Sequence, residues 1–196
     1  LVGGLGNEID LAAAENGAQV LTCSDMFFGP KHNLIMPGRA HNMSDGWETR
    51  RRRGPGHDWV IVKLATEGHA RRIELDTNHF KGNYPDTASI EGSRDGETWT
   101  DVLPRTKLQA HTRHFFIDEL TTDGPFTHLR MNVYPDRRVS RLRVWGKATV
   151  EGRRAAILWR INTLFHPREL LKVCASQEWA QRMYAARPFD SWESLL

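Results

Sequence analysis

Hydrophobic residues alternate with polar ones in short runs between residues 17 and 146. A spacing of two residues recurs at Ile73 and Leu75, at Leu129, Met131 and Val133, and at Leu142 and Val144. This period is typical of antiparallel strands that bury one face. Turn-forming residues separate the runs, and no segment before Ala148 keeps a helical period. The pattern predicts a mainly β fold, specifically a jelly-roll β-sandwich.

The pattern changes after residue 147, where a short C-terminal helical extension is predicted. Helices are expected to begin near Pro167, Ser176 and Asp190, since each has the residue type that favours a helical start. The basic, glycine-containing stretch before them predicts a linker. We therefore expect three parts, namely a β domain over residues 1–147, a linker over 148–160 and a helical segment over 161–196.

The composition limits the location and the ligand class. The 196 residues are 39% hydrophobic and include no apolar stretch long enough to cross a membrane. Seven basic and four acidic side chains lie in residues 153–196, which leaves 20 of each before them and no basic surface for nucleic acid in the main domain. Only Cys23 and Cys174 occur, so we expect no disulfide framework and a reducing, cytoplasmic location.

No metal or cofactor is expected. The histidines are scattered without the paired spacing of a zinc site. Binding of a divalent ion by carboxylates stays open as an alternative. The chain begins with Leu1 rather than Met, from which we expect that upstream sequence is missing.

Residues 46–53 form the first of two segments that carry candidate chemistry. They contain Glu48 and the arginines Arg50 and Arg52. A guanidinium is a planar fork that binds a carboxylate at two points, and Arg130 is a third candidate for this role. Glu48 is a candidate acid or base, although an internal ion pair with an arginine is the alternative. A solvated, charged edge that prevents strand aggregation is the alternative for the arginines.

Residues 76–83 form the second segment, with Asp76, His79 and Asn83. His79 is suited to proton transfer near neutral pH, and Asp76 is placed to orient it or to transfer a proton itself. Asp25 is a further candidate for hydrogen bonds to ligand N–H groups. The alternative is a strand-ending turn in which Asp76 binds backbone amides. Together these side chains suit a small anionic, urea-like ligand.

The ordered series of motifs resembles allantoicase over roughly residues 5 to 147. It is closest to the second of that family's two tandem repeats, because four motifs match in order, namely Cys23-Ser24-Asp25, Asn33-Leu34-Ile35, Pro37-Gly38-Arg39 and Leu103 to Leu108. The resemblance implies a galactose-binding-like jelly roll. One departure is that Arg137 and Arg138 stand where the family has two glycines, so the loop before Arg141 is expected to differ.

The resemblance also implies a function, that of a hydrolase of allantoin and purine catabolism that converts allantoate and water to ureidoglycolate and urea. For that reaction the candidate proton-transfer residues are His79, Asp76 and Glu48, and the candidate allantoate-binding residues are Arg50, Arg52, Asn83, Asp25 and Arg130. The implied partners are a first allantoicase repeat and further copies of the same chain, as a homo-oligomer. A ureide-binding or scaffold repeat without catalysis is the alternative.

Residues 161–196 are similar to the start of the decarboxylase that acts on 2-oxo-4-hydroxy-4-carboxy-5-ureidoimidazoline. The similarity lies in Phe165 to Leu171, Cys174 to Ala180 and Arg187-Pro188-Phe189. The later histidine motifs of that family do not occur before Leu196, so we expect no decarboxylase activity from this segment. A fusion of the two enzymes in one polypeptide is a third hypothesis.

Overall fold

The computed structural model describes residues 7–163, 166–168, 177–191 and 193–195. Within them lie ten strands, β1 (Ile9–Asp10), β2 (Gln19–Cys23), β3 (Trp47–Glu48), β4 (Asp58–Asp76), β5 (Thr87–Ser93), β6 (Thr100–Lys107), β7 (Arg113–Phe116), β8 (Phe126–Tyr134), β9 (Arg138–Val139) and β10 (Arg141–Ala148). Two α-helices with described bounds are α1 (Val150–Thr163) and α2 (Gln177–Ala185), and Pro167 and Arg168 are also helical, near the predicted start at Pro167. Short 3-10 helices cover Ala14–Asn16, Lys31–Ile35, Met43–Asp45 and Glu193–Leu195.

The long strand β4 connects the two halves of one eight-stranded antiparallel sheet. Residues 60–63 of β4 lie between β2 and β8, whereas residues 73–76 lie between β10 and β7. The register between β4 and β8 shifts between Lys63 and Gly68, where the strand passes from one half to the other. The order along the sheet is β1-β10-β4-β8-β5-β6, and β3 with β9 forms a separate two-stranded ribbon.

A hydrophobic core lies against one face of these strands. The residues whose alternation predicted strands are fully buried, namely Ile73, Leu75, Leu129, Met131, Val133, Leu142 and Val144. Burial of a side chain of this size stabilises the fold by about 1.5–3 kcal/mol relative to exposure. The predicted mainly β architecture with a short helical extension is confirmed.

The β fold ends at Thr149, and residues from Val150 onward belong to a second compact unit. The stretch 148–160, which was predicted to be a linker, is helical from Val150, since α1 covers Val150–Thr163. The basic residues and Gly152 suggested a linker. They form the first turns of α1 instead, because the residues that follow from Ala155 favour a helix and extend it.

The later helical predictions are covered in part. Residues 169–176, which include Leu170, Leu171, Cys174 and the expected cap Ser176, lie outside the described residues. Helix α2 follows from Gln177 and ends at Ala185, before Pro188, as the sequence predicts. A 3-10 helix occupies Glu193–Leu195, where a third helix was predicted. None of the described helices has the length and apolar character needed to span a membrane.

Candidate active site

Glu48 and Asn83 both contact a half-buried arginine, Arg138, that the sequence analysis did not propose as a site residue. In the β3–β9 ribbon Glu48 lies opposite Arg138, and their side chains form an ion pair. In the amide orientation that satisfies its hydrogen bonds, the Asn83 side-chain oxygen accepts from Nε of Arg138 at 3.1 Å and from Nη1 at 2.7 Å. Burial lowers the pKa of Arg138. The two predicted residues are therefore linked through Arg138.

The backbone before Arg138 keeps a glycine-like shape despite the substitution noted in the sequence. Arg137 has φ 110°, a conformation that side chains other than glycine rarely adopt. Its amide donates to Oγ1 of Thr49 at 3.0 Å, and its side chain pairs with the buried Asp136 at 2.9 Å. These contacts hold a residue other than glycine at positive φ, and a loop that differs from that of the relatives stays a prediction.

Asp25 and Arg50 are also brought together. The backbone amide of Arg50 donates to Oδ2 of Asp25 at 2.6 Å, and the Arg50 guanidinium lies 4.4 Å from the centre of the Phe27 ring. Trp47 Nε1 donates to the backbone oxygen of Asp25 at 3.0 Å. This pair lies beside strand β3, since Phe27 bonds to the backbone of Glu48.

Arg52 and Arg130 already bind carboxylates of the protein. Nη2 of Arg52 donates to Oδ1 of Asp58 at 2.7 Å. Arg130 makes a two-point contact with Glu91, with both distances 2.7 Å, and packs over the ring of Trp99. Hydrogen bonds from Arg130 lower the pKa of Glu91, and those bonds in turn raise the pKa of Arg130. In the described part of the chain, no contact links Arg130 to the other predicted site residues.

Asp76 and His79 lie in the turn that ends β4. Oδ1 of Asp76 accepts from the amide of Asn78 at 2.8 Å, which is the turn contact considered as the alternative to a catalytic role. His79 has φ 70°, and its amide donates to Nδ1 of His111 at 2.8 Å. Its Nε2 lies 2.9 Å from the carbonyl oxygen of Ala40. A carbonyl oxygen only accepts, so Nε2 carries the proton and Nδ1 is the ring nitrogen left for a ligand.

Charged side chains cover the face of β7, β4 and β10 that lies opposite the core. Asp76 is directly opposite Arg113 of β7 and Arg141 of β10, and Glu74 is directly opposite Arg143. Directly opposed residues project from the same face of a sheet. Arg113 binds Glu74 at two points, at 2.7 and 3.1 Å, and hydrogen bonds from Glu74 raise the pKa of Arg113.

This charged face opens into a cleft of about 470 Å³. Its lining includes Asp10, Arg39, Asp76, Arg113, Arg141 and Arg143, and we call it the arginine cleft. Burial raises the pKa of Asp10, whose Oδ1 accepts from the amides of Ala12 and Val144. Strands from distant parts of the sequence thus bring several cations and carboxylates to one concave surface.

Gly38 and Arg39 line the arginine cleft, and their segment, residues 36–45, is held by two buried arginines. Arg141 donates to the carbonyl oxygen of Gly38 at 3.1 Å and to the backbone and side chain of Asp45. Arg143 donates through Nη2 to the carbonyl oxygens of Met36 and Gly38, the latter at 2.8 Å. Burial opposes ionisation of Asp45, but the His41 amide and Arg141 hold the pKa of Asp45 below its usual range.

Most charged residues of the cleft were not proposed as site residues by sequence analysis, namely Asp10, Arg39, Glu74, Arg113, Arg141 and Arg143. One signal was present, because the alternation in Arg141-Leu142-Arg143-Val144 places both arginines on the face opposite the core. The strand pairing that sets them beside Asp76 could not be derived from that alternation. Within the described residues, no group of three or more histidine, cysteine or acidic side chains is placed to hold a metal ion.

Comparison with known proteins gives a consistent set of relatives. The family model described as the allantoicase repeat matches residues 9–149. The allantoicase of Dictyostelium discoideum is 55% identical over 150 residues, which are 71% of this chain and 41% of the relative. A probable allantoicase of Pseudomonas fluorescens strain Pf0-1 is 52% identical over 151 residues, 71% of this chain and 46% of the relative. The chain thus spans less than half the length of these curated relatives.

Solved structures agree with the sequence comparison. The crystal structure of allantoicase from Saccharomyces cerevisiae has a TM-score of 0.67 and 39% identity, and the match covers 71% of this chain and 43% of that one. A family 32 carbohydrate-binding module from Streptococcus pneumoniae EndoD has a TM-score of 0.57 at 12% identity, and it covers 71% of this chain and all of the module. This second likeness concerns the fold alone, and it confirms the predicted galactose-binding-like jelly roll.

Proposed function

Since the chain belongs to the allantoicase family, we propose that it acts in the hydrolysis of allantoate to ureidoglycolate and urea. In this reaction the bond between the central carbon and one ureido nitrogen breaks, and the oxygen of water becomes bonded to that carbon. The proton released by water balances the proton that the departing urea nitrogen gains. The protein must therefore bind an anion, transfer a proton and hold the substrate in the orientation in which water can attack the central carbon.

The observation that carries the proposal is the position of Asp76. This carboxylate is 1% exposed, one of its oxygens bonds to the turn, and the other lies in the arginine cleft without a hydrogen bond from any described residue. A buried carboxylate with a free oxygen beside cations is suited to exchange a proton with a bound substrate. We therefore propose Asp76 as the main proton-transfer residue.

His79 and Glu48 are proposed for supporting parts in proton transfer. His79 binds Ala40 through Nε2, so a proton-transfer role would use Nδ1. Glu48 pairs with Arg138, and it can act as an acid or base only when that pair opens. Both assignments are weaker than that of Asp76, because each side chain already has a structural partner.

The proposed binding residues divide into two groups. Arg50, Asp25 and Asn83 lie at or beside the β3–β9 ribbon, and in the described part of the chain no carboxylate pairs with the Arg50 guanidinium. We propose that these three contact the ligand. Arg52 and Arg130 are weaker candidates, because each already forms an ion pair within the protein. Arg52 pairs with Asp58, and Arg130 pairs with Glu91.

Three broader proposals concern the surroundings of the chain. We propose that it corresponds to the second repeat of an allantoicase, with a first repeat and further copies of the chain as partners, since it spans 41–46% of its curated relatives. We also propose that residues 161–196 begin a decarboxylase-like helical segment, a proposal supported by the presence of α2. The low cysteine content supports a cytoplasmic location.

The experiment that tests the proposal is urea release from allantoate, measured with this chain and with a version extended to the length of the curated relatives. Activity in the extended version is the expected result, and activity in both would locate a complete site within one repeat. Binding of allantoate without urea release by either version would contradict the proposal and support the ureide-binding repeat. Absence of both binding and release would contradict both functions.

A further inference from the structure

Two buried polar atoms in the arginine cleft lack a hydrogen-bond partner among the described residues. They are Oδ2 of Asp76 and Nη1 of Arg143, and both residues are more than nine-tenths buried. Their nearest opposite charges are at ion-pair distance only, with Arg39 Nε 3.5 Å from Asp76 and Asp10 Oδ2 3.6 Å from Arg143. Buried polar groups are nearly always hydrogen-bonded, so a missing partner at this place indicates a ligand.

The two unpartnered atoms have complementary chemistry. The carboxylate oxygen of Asp76 accepts a hydrogen bond, and the guanidinium nitrogen of Arg143 donates one. Asp76 is opposite Arg141, so Arg143 is its diagonal neighbour on the same face, and Cα atoms of such neighbours lie about 7–8 Å apart. A small planar group that has both N–H and C=O, such as a urea, can bond to both side chains at once.

Arg39 adds a cation whose position a ligand can change. Its side chain is 55% exposed, and its contact with Asp76 is too long for a hydrogen bond. The other cleft arginines are engaged by the protein, Arg113 with Glu74 and Arg141 with residues 38–45. Arg39 lies within the segment that Arg141 and Arg143 hold in place, so its backbone is fixed while its guanidinium can move.

We infer that the arginine cleft binds a small carboxylate that also bears a ureido group. Asp76 accepts from the ureido N–H, Arg143 donates to the ureido oxygen, and Arg39 binds the carboxylate. The choice of ligand class rests on the proposed function, whereas the placement of the three contacts rests on the cleft alone. Arg39 thereby determines specificity for an anion, a role that the sequence analysis gave to other arginines.

The test uses N-carbamoylglycine, which has one ureido group and one carboxylate. Its α-carbon bears one nitrogen where that of allantoate bears two, so it is not expected to be hydrolysed. Its neutral amide, N-carbamoylglycinamide, has the same ureido group without the negative charge. Binding of both compounds to the whole chain is measured by calorimetry or NMR titration. The wild-type chain is expected to prefer the acid by about tenfold or more, because a guanidinium–carboxylate contact is charge-assisted.

Arg39→Ala is expected to remove this preference, so that acid and amide bind equally. The matched control is Arg154→Ala, which replaces an exposed arginine on α1 and is expected to keep the wild-type preference. Arg39 is itself exposed, so its replacement is expected to leave the melting temperature nearly unchanged. Asp76→Asn and Arg143→Lys are expected to weaken both compounds to a similar extent, since they contact the shared ureido group.

Three results would overturn the inference, namely no binding by the wild-type chain, an undiminished preference in Arg39→Ala, or loss of the preference in Arg50→Ala with Arg39→Ala unaffected.

The experiment is separate from the test of turnover. Urea release from allantoate without binding in the arginine cleft would contradict this inference and leave the proposed function standing. Binding with the expected preference but without urea release by either this chain or the extended version would support the inference and contradict hydrolysis.

Discussion

The two carboxylate oxygens of Asp76 have different surroundings, one in the turn that ends β4 and one in the arginine cleft. Oδ1 accepts from the Asn78 amide and ends β4, while Oδ2 lies in the arginine cleft near Arg39. The two sequence interpretations of this residue, as a turn former and as a site residue, therefore apply to different oxygens. His79 illustrates the same point, because its Nε2 holds Ala40 and its Nδ1 is left for chemistry.

Replacing His79 with glutamine tests which of its nitrogens matters. The glutamine amide nitrogen has the reach of Nε2 and can donate to the Ala40 carbonyl, whereas no proton-transfer group replaces Nδ1, so the fold is expected to persist. If His79 mainly positions residues 36–45, urea release falls by less than about tenfold and keeps its pH profile. Loss of about 100-fold or more would instead indicate proton transfer by His79.

His79→Val is the control for this prediction, since valine keeps no donor and is strained at positive φ. It is expected to cost about 1–2 kcal/mol of unfolding free energy, measured by chemical denaturation. A stable, active His79→Val variant would contradict the positioning role.

Strand pairing sets most of what surrounds the site. The sequence predicted the strands from their alternation, but the partners of β4 depend on long-range contacts that alternation does not contain. Arg113, Asp76 and Arg141 become neighbours only because β7 and β10 pair with β4. The β3–β9 ribbon was missed for a further reason. Each of its strands has only two residues, which is too short for an alternating pattern to be recognised.

The cross-strand pair of Glu91 on β5 and Arg130 on β8 predicts a pH dependence of stability. Hydrogen bonds from Arg130 lower the folded-state pKa of Glu91 below the ordinary value of 4.5. The contribution of this pair is therefore fully present above about pH 4.5 and is lost as the pH falls through the folded-state pKa.

Glu91→Gln is expected to reduce the free energy of unfolding at pH 7. Between pH 5 and pH 3 the variant is expected to lose less stability than the wild type, and the difference corresponds to the free energy that the Glu91–Arg130 pair contributes. Denaturation curves at several pH values measure this difference. Glu97→Gln, at an exposed position, is the matched control and is expected to follow the wild type. Equal pH dependence in Glu91→Gln and the wild type would contradict the prediction.

The arginine cleft lies within one compact unit of the molecule. Its lining comes mainly from β1, β4, β7, β10, the 3-10 helix Ala14–Asn16 and residues 38–39, all before the boundary at Thr149. The chain nevertheless spans only 41–46% of the length of its curated relatives. A ligand site within one repeat is thus expected, and the contribution of any further repeat to turnover is a separate question for the extended version.

The central claim is that Asp76 in the arginine cleft serves the hydrolysis of allantoate. The most direct measurement compares urea release by the extended protein with that of its Asp76→Asn and Asp118→Asn variants. Asparagine keeps the acceptor for the Asn78 amide and removes the charge and the exchangeable proton, whereas Asp118 is exposed. We predict a loss of about 100-fold or more in Asp76→Asn with an unchanged melting temperature, and wild-type activity in Asp118→Asn. Near wild-type activity in a folded Asp76→Asn protein would contradict the account.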